Sequence, residues 1–77
     1  MDAIEQQVIE NLKRICGGSP SPKDSLALIG IDSVGMAELT FDLEKQFSIQ
    51  VDDGVLDIET VGELVEYVKS RQSENGG

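Results

Sequence analysis

Apolar residues recur at helical intervals in three stretches of this chain. Ile4, Val8, Leu12 and Ile15 fall at i, i+4, i+8 and i+11 and make one stripe of a helix expected over about 3–16. Asp2 and Glu5 stand at capping-box spacing at its start. Gly17-Gly18 should stop it, because glycine readily takes the left-handed conformation at C′. Glu10 and Arg14 are spaced to pair on its outer face. A second helix is expected over 33–47, with Met36, Leu39, Thr40, Leu43 and Phe47 facing the core. Val34, Ala37 and Phe41 (i, i+3, i+7) form a stripe beside the first, flanked by Glu38, Asp42 and Glu44. Two readings fit this second stripe: a wide buried face, or an exposed apolar strip rimmed by acids for docking a partner. In the last stretch Thr60 and Glu63 form a capping box ahead of Val61, Leu64, Val65 and Val68. Lys69 and Arg71 lie near the negative end of that helix, and residues 72–77 should fray.

The connectors are read from turn chemistry. Pro20 and Pro22, one residue apart, forbid a regular helix over 19–24. A Pro-x-Pro segment could serve a proline-binding domain, but a rigid connector pinned by Leu26, Leu28 and Ile29 is the expectation. Ile49-Gln50-Val51 should be a short extended link that drops Val51 into the core. Residues 52–57 have room for one or two helical turns with aspartates as caps. A calcium loop fails there: with Gly54 at the sixth position, Ile49, Val51 and Thr60 would occupy ligand places. No strand alternation or internal repeat is present. The implied fold is all-α, a small bundle of three longer helices and one short one. Its expected core is Val8, Leu12, Leu39, Leu43, Phe47, Val51, Leu64 and Val68.

Seventy-seven residues make one domain with a small core. Fifteen acids against six bases give a net charge of −9, which argues against nucleic acid or an anionic membrane surface as partner and for proteins with basic patches. The distribution sharpens this. Residues 32–66 hold ten acids and one base, Lys45, so this segment carries the entire net charge. Cys16 is the single cysteine, which excludes an internal disulfide and a multi-cysteine zinc site; beside Gly17 it should end the first helix. With no signal peptide or membrane-spanning run, a cytoplasmic monomer is expected.

Asp32-Ser33 stands where loop should turn into helix. Asp is a favoured N-cap residue, and the periodic run begins just after it. Free N–H groups and a partial positive charge at a helix N-terminus favour a phosphate, so a phosphodiester on the Ser33 hydroxyl would be well placed. The chain has no histidine, hence no imidazole to activate Ser33 as a catalytic nucleophile. Ser33 therefore reads as a residue that another enzyme modifies, not as part of an active site.

Gly30-Ile31-Asp32-Ser33, with Glu38-Leu39 and Leu43-Glu44 down to Phe47, resembles the acyl carrier proteins and their peptidyl carrier relatives, whose signature is G-x-D-S-[LM]. The resemblance covers roughly residues 3–71. It implies a four-helix bundle of acyl-carrier type forming one carrier domain over 1–77. It also implies 4′-phosphopantetheine borne on Ser33, Asp32 helping to recruit the phosphopantetheinyl transferase, and no catalysis by the chain itself. The second helix would be the recognition helix, with Val34, Ala37, Glu38, Phe41, Asp42 and Glu44 meeting acyl- or aminoacyl-loading and downstream synthase enzymes. Departures bear on the subclass. Fatty-acid carriers usually have Leu and then an acid after the serine; here Val34 and Gly35 stand there, and Lys45 and Gln46 dilute the later acids. A specialised fatty-acid or polyketide pathway is the expectation, with peptidyl or aminoacyl carriage as alternative. A ubiquitin-like or sulfur-carrier protein activated at Gly76-Gly77 is a remote third reading, which would require a β-grasp fold.

Overall fold

The computed structural model describes residues 3–76, with side chains through residue 72. Its elements are α1 (Ala3–Cys16), α2 (Ser33–Phe47), a 3₁₀ helix (Asp53–Asp57) and α3 (Val61–Gly76). The short fourth element is thus a single tight coil and not an α-helix. Among the described residues there is no strand, only an isolated bridge between Ser25 and Thr60. A β-grasp fold is therefore not what these residues form. Asp2 and Gly77, and with them the Asp2–Glu5 capping box and the intact Gly-Gly end, lie outside the described residues.

The helix ends follow from local chemistry. Gly17, at φ +77°, closes α1 by donating its N–H to the Lys13 carbonyl at 2.8 Å. Asp32 caps α2: its backbone is extended and its Oδ1 accepts from the Gly35 N–H at 2.8 Å. Ser48 ends α2 in the left-handed region at φ 55° without glycine's freedom. At α3 the capping box is formed both ways: Glu63 N–H donates to Thr60 Oγ1 at 3.2 Å, and Thr60 N–H donates to Glu63 Oε1 at 3.1 Å. The same helix runs on to Gly76, beyond the end expected near Arg71. Residues 72–75 contain no proline or glycine to break its hydrogen-bond ladder.

Each α-helix contacts the other two, and the core lies between them. Val8 and Leu12 enter from α1, Leu39, Leu43 and Phe47 from α2, and Val61, Leu64, Val65 and Val68 from α3. The connectors add Leu26, Ile31, Ile49 and Val55. Two expectations about the connectors change. Ile49, not Val51, is the buried residue of the link; Val51 is half-buried at the core's edge, and its N–H donates to Glu44 Oε2 at 2.9 Å. Leu28 is 88% exposed and pins nothing. Turn bonds from Ile29 N–H to Ser25 O and from Ile31 N–H to Leu26 O coil residues 25–31, so Leu26 and Ile31 enter the core while Leu28 faces out.

The proline connector is tied to the start of α3 by backbone hydrogen bonds: Leu26 N–H to Glu59 O (2.9 Å), Val61 N–H to Asp24 O (3.0 Å) and Gly62 N–H to Pro22 O (2.9 Å). Gly62 permits this approach, since a Cβ there would stand 3.0 Å from the Pro22 carbonyl oxygen.

Across the α1–α2 seam lies one buried polar side chain, Asn11, 4% exposed. It donates to Gln46 Oε1 at 2.7 Å and accepts from Arg14, while Gln46 donates to Gln7 Oε1 at 2.9 Å. Arg14 turns toward Asn11 and, at 3.4 Å, Asp42 on α2, rather than along α1 to Glu10. The Arg14 bond satisfies the oxygen of the buried Asn11 amide, whereas a pair with exposed Glu10 would gain little.

Candidate functional site

Ser33 is the first residue of α2 and is exposed. Its place is set by what surrounds it in the chain. Gly30, at φ +94°, turns the chain; Ile31 anchors it in the core; and Asp32 fixes the helix start through its bond to the Gly35 N–H. The Met36 N–H closes the first turn onto the Asp32 carbonyl at 2.8 Å. The hydroxyl thus stands at the positive end of a fifteen-residue helix, where a phosphate is stabilised. Asp32 serves that geometry as a cap, whatever else it contacts.

Beside Ser33 lies a groove of about 500 Å³ between α2 and the 3₁₀ helix. Ile31, Met36, Ala37, Thr40, Val55 and Leu56 line it with Asp32 and Ser33. Of the residues expected to face the core, Met36 packs half-buried against the core's edge and Thr40 is half-buried, and both also wall this groove. A smaller hollow of about 250 Å³ shares Ile31, Met36, Val55 and Leu56 and reaches under residues 25–27. An exposed hydroxyl at a helix N-terminus beside an apolar groove fits a phosphate-linked arm of mixed polarity. Sequence reasoning missed the groove because its far wall comes from the 3₁₀ helix, twenty residues beyond Ser33.

Of the two readings of the second stripe on α2, the structure favours exposure. Val34 is 67% and Phe41 59% exposed, and Ala37 and Glu38 also face solvent. Lys45 Nζ sits 4.9 Å above the Phe41 ring centroid. The remaining two acids are engaged within the fold and half-buried: Asp42 with Arg14, and Glu44 with the Val51 amide. Phe41 lies one side of the helix away from Leu43, which is why neighbours in sequence differ so sharply in burial.

Comparisons with known proteins agree with this geometry. The family model described as "Phosphopantetheine attachment site" matches residues 3–68. A mitochondrial acyl carrier protein from Saccharomyces cerevisiae is 30% identical over 83 residues, covering 96% of this chain and 66% of its own length. Acyl carrier proteins from Lactobacillus johnsonii and Thermotoga maritima are 46% and 39% identical over 43 and 44 residues, 54% and 56% of this chain. Both matches span 54% of those proteins, so the chain covers between about half and two thirds of the curated relatives' length. A crystal structure of acyl carrier protein from Thermotoga maritima has the same fold, with a TM-score of 0.77 over 94% of each chain at 18% identity. No helix among the described residues is long and apolar enough to cross a membrane. Because the family match runs from the first residue of α1, through the Asp32-Ser33 junction, into α3, the chain belongs to the carrier proteins with a phosphopantetheine attachment site, whose prosthetic group is 4′-phosphopantetheine.

Proposed function

We propose that this chain is an acyl carrier whose phosphopantetheine is attached to Ser33 Oγ. The observation that carries the reading is the exposed hydroxyl at the start of α2 with an apolar groove at its side. The prosthetic group supplies a terminal thiol on which acyl groups are held as thioesters. The chain's own residues present and position. Asp32 keeps the helix end formed, the N-terminus of α2 stabilises the phosphodiester, and the groove from Ala37 to Val55 offers apolar cover to the arm or its cargo.

Docking belongs to the same face. Val34, Ala37 and Phe41 form the apolar strip, and Glu38 is the acid that adjoins it in solvent. A phosphopantetheinyl transferase and the loading and downstream synthase enzymes would meet this face with basic patches. Asp42 and Glu44 contribute charge there while serving Arg14 and Val51 within the fold. Gly35, packed near Ile31 and Ile15 and bound to the Asp32 cap, stands where fatty-acid carriers usually place an acid. That supports a specialised fatty-acid or polyketide pathway. Peptidyl or aminoacyl cargo is the alternative, and the mass of the loaded protein from its own host separates the two.

Incubation with coenzyme A and a phosphopantetheinyl transferase should add the mass of one phosphopantetheine, and Ser33→Ala should abolish the addition. Modification at another residue, or none with several transferases, would remove the reading.

A further inference from the structure

Most of the net charge does not lie on the docking face of α2. Glu38, Asp42 and Glu44 stand there with two cations: Arg14, paired with Asp42, and Lys45, above the Phe41 ring. The uncompensated acids are on another side of the molecule. Asp57, Glu59, Glu63 and Glu66 are exposed at the end of the 3₁₀ helix and along α3. Glu66 meets Lys69 at 3.7 Å, and no ion pair among the described residues engages the other three. Between Asp57, Glu63 and Glu66 runs a groove of about 640 Å³, with half-buried Ile58 and Tyr67 as its apolar part. Its walls are fixed. The Tyr67 hydroxyl donates to Asp52 Oδ1 at 2.7 Å, and the Arg71 guanidinium lies 5.2 Å from the ring centroid. Glu63 Oε1 accepts from the Thr60 and Glu59 N–H groups, each at 3.1 Å, so the carboxylate is held with its other oxygen toward solvent. This groove shares no residue with the one beside Ser33: Val55 and Leu56 line that one, Asp57 and Ile58 this one.

We propose that this flank is a second docking surface, and that its occupant is a short basic helix of a partner protein. One apolar side chain of that helix would rest on Ile58 and Tyr67, with Lys or Arg against Asp57, Glu63 and Glu66. Charge selects this occupant: a neutral or acidic segment would desolvate three carboxylates with nothing to offset the loss. The lining positions on α3 run from Gly62 to Ser70, about 12 Å of helix, which matches two to three turns of a partner. Because Tyr67 and Glu63 are already held in place, little ordering cost falls on this side of the interface. The surface itself stands apart from the carrier reading, and only its consequence rests on it. A partner held here leaves Ser33 and the α2 strip uncovered, so it stays bound and keeps the arm at high effective concentration while another enzyme works on the cargo.

The probe is a synthetic helical peptide of about fifteen residues, leucines along one stripe and lysines elsewhere, titrated into the unmodified protein. Tyr67 is the one tyrosine of a chain without tryptophan, so its emission should change as the groove fills. Amide shifts should be largest at Glu63, Glu66, Tyr67 and Ser70 and small at Val34, Ala37 and Phe41. Ser70→Arg, at an exposed position, should weaken binding about tenfold, and Asp57→Asn combined with Glu66→Gln about fivefold, with helix content unchanged in both. Exchanging the peptide's leucines for alanines should also weaken it about tenfold. Largest shifts on the α2 strip, an affinity indifferent to Ser70→Arg, or equal binding of the alanine peptide would overturn the surface. With peptide at saturation, a phosphopantetheinyl transferase should still load Ser33, and a block by the peptide would overturn the separation of the two faces. A Ser33 that takes no arm even without peptide would sink the carrier reading instead, with the titration still deciding the flank.

Discussion

Replacing Leu43 by alanine should cost about 3 kcal/mol, and replacing Phe41, two residues earlier on the same helix, only about 1–2 kcal/mol. Leu43 is 1% exposed within the central cluster. Truncation there loses the transfer free energy of its methyl groups and leaves a cavity, together about 2–5 kcal/mol in closely packed cores. Phe41 is 59% exposed, so less than half of the roughly 1.5–3 kcal/mol for full burial of such a side chain is at stake; the exposed contact with Lys45 adds about 0.5 kcal/mol. A chain of this size has roughly 4–12 kcal/mol of total stability, so Leu43→Ala removes a large part of it and Phe41→Ala does not. Urea unfolding followed by circular dichroism at 222 nm is the assay. The midpoint should move strongly for Leu43→Ala with an unchanged slope, and its Tm should fall by about 12–24 °C. A Leu43→Ala midpoint close to wild type, or a Phe41→Ala loss as large as that of Leu43→Ala, would mean that the faces of α2 are assigned the wrong way round.

Glu38→Lys should slow association with the transferase and flatten its salt dependence, because long-range attraction acts on encounter; Phe41→Ala should speed dissociation with the salt dependence nearly unchanged, as stopped-flow kinetics at several salt concentrations will read. Gly62→Ala should destabilise by about 1–2 kcal/mol despite alanine's higher helix propensity, since its Cβ would meet the Pro22 carbonyl; a stabilised variant in thermal melts would refute that close approach. The Asp52 carboxyl is held below its ordinary 3.8 by the Tyr67 hydroxyl first, then the Gly54 N–H and Arg71. A lowered folded-state value means stability that is present above the ordinary value and lost as pH falls through the folded one, with Tyr67, Arg71 and neighbouring Asp53 the ionisable groups around it. The stability gap between wild type and Asp52→Asn should therefore close in acid, and a gap constant down to strongly acidic pH would count against the charged form's role.

The three α-helices were legible because their ends carry local chemistry: Gly17, the Asp32 cap and the Thr60–Glu63 box each act within a few residues of themselves. The position of Ser33 at the start of α2, behind a capping aspartate, was legible for the same reason. The rest depended on partners distant in sequence. Nothing near Asn11 announces that its amide will be buried against Gln46, thirty-five residues away. Likewise Tyr67 and Arg71 look like an ordinary solvent face of α3 until Asp52 is brought to them. In the link, Ile49 and Val51 lie on the same side of an extended segment, so pattern alone could not choose between them; the left-handed turn at Ser48 and the Glu44 bond to Val51 settled it.

The three backbone bonds between residues 22–26 and 59–62 bear on the order of folding. They join segments separated by all of α2 and the 3₁₀ helix, so forming them closes a long loop and carries its entropy before any contact rewards it. Helix pairing about Leu12, Leu39 and Leu64 closes a longer loop still, but buried apolar surface rewards that closure at once, which three backbone bonds by themselves do not. The tie should accordingly form after the rate-limiting step, with low φ-values at Gly62 and Leu26. Gly62→Ala would then hasten unfolding while leaving the refolding rate almost untouched. The proline connector would be the last part of the molecule to settle and the first to let go.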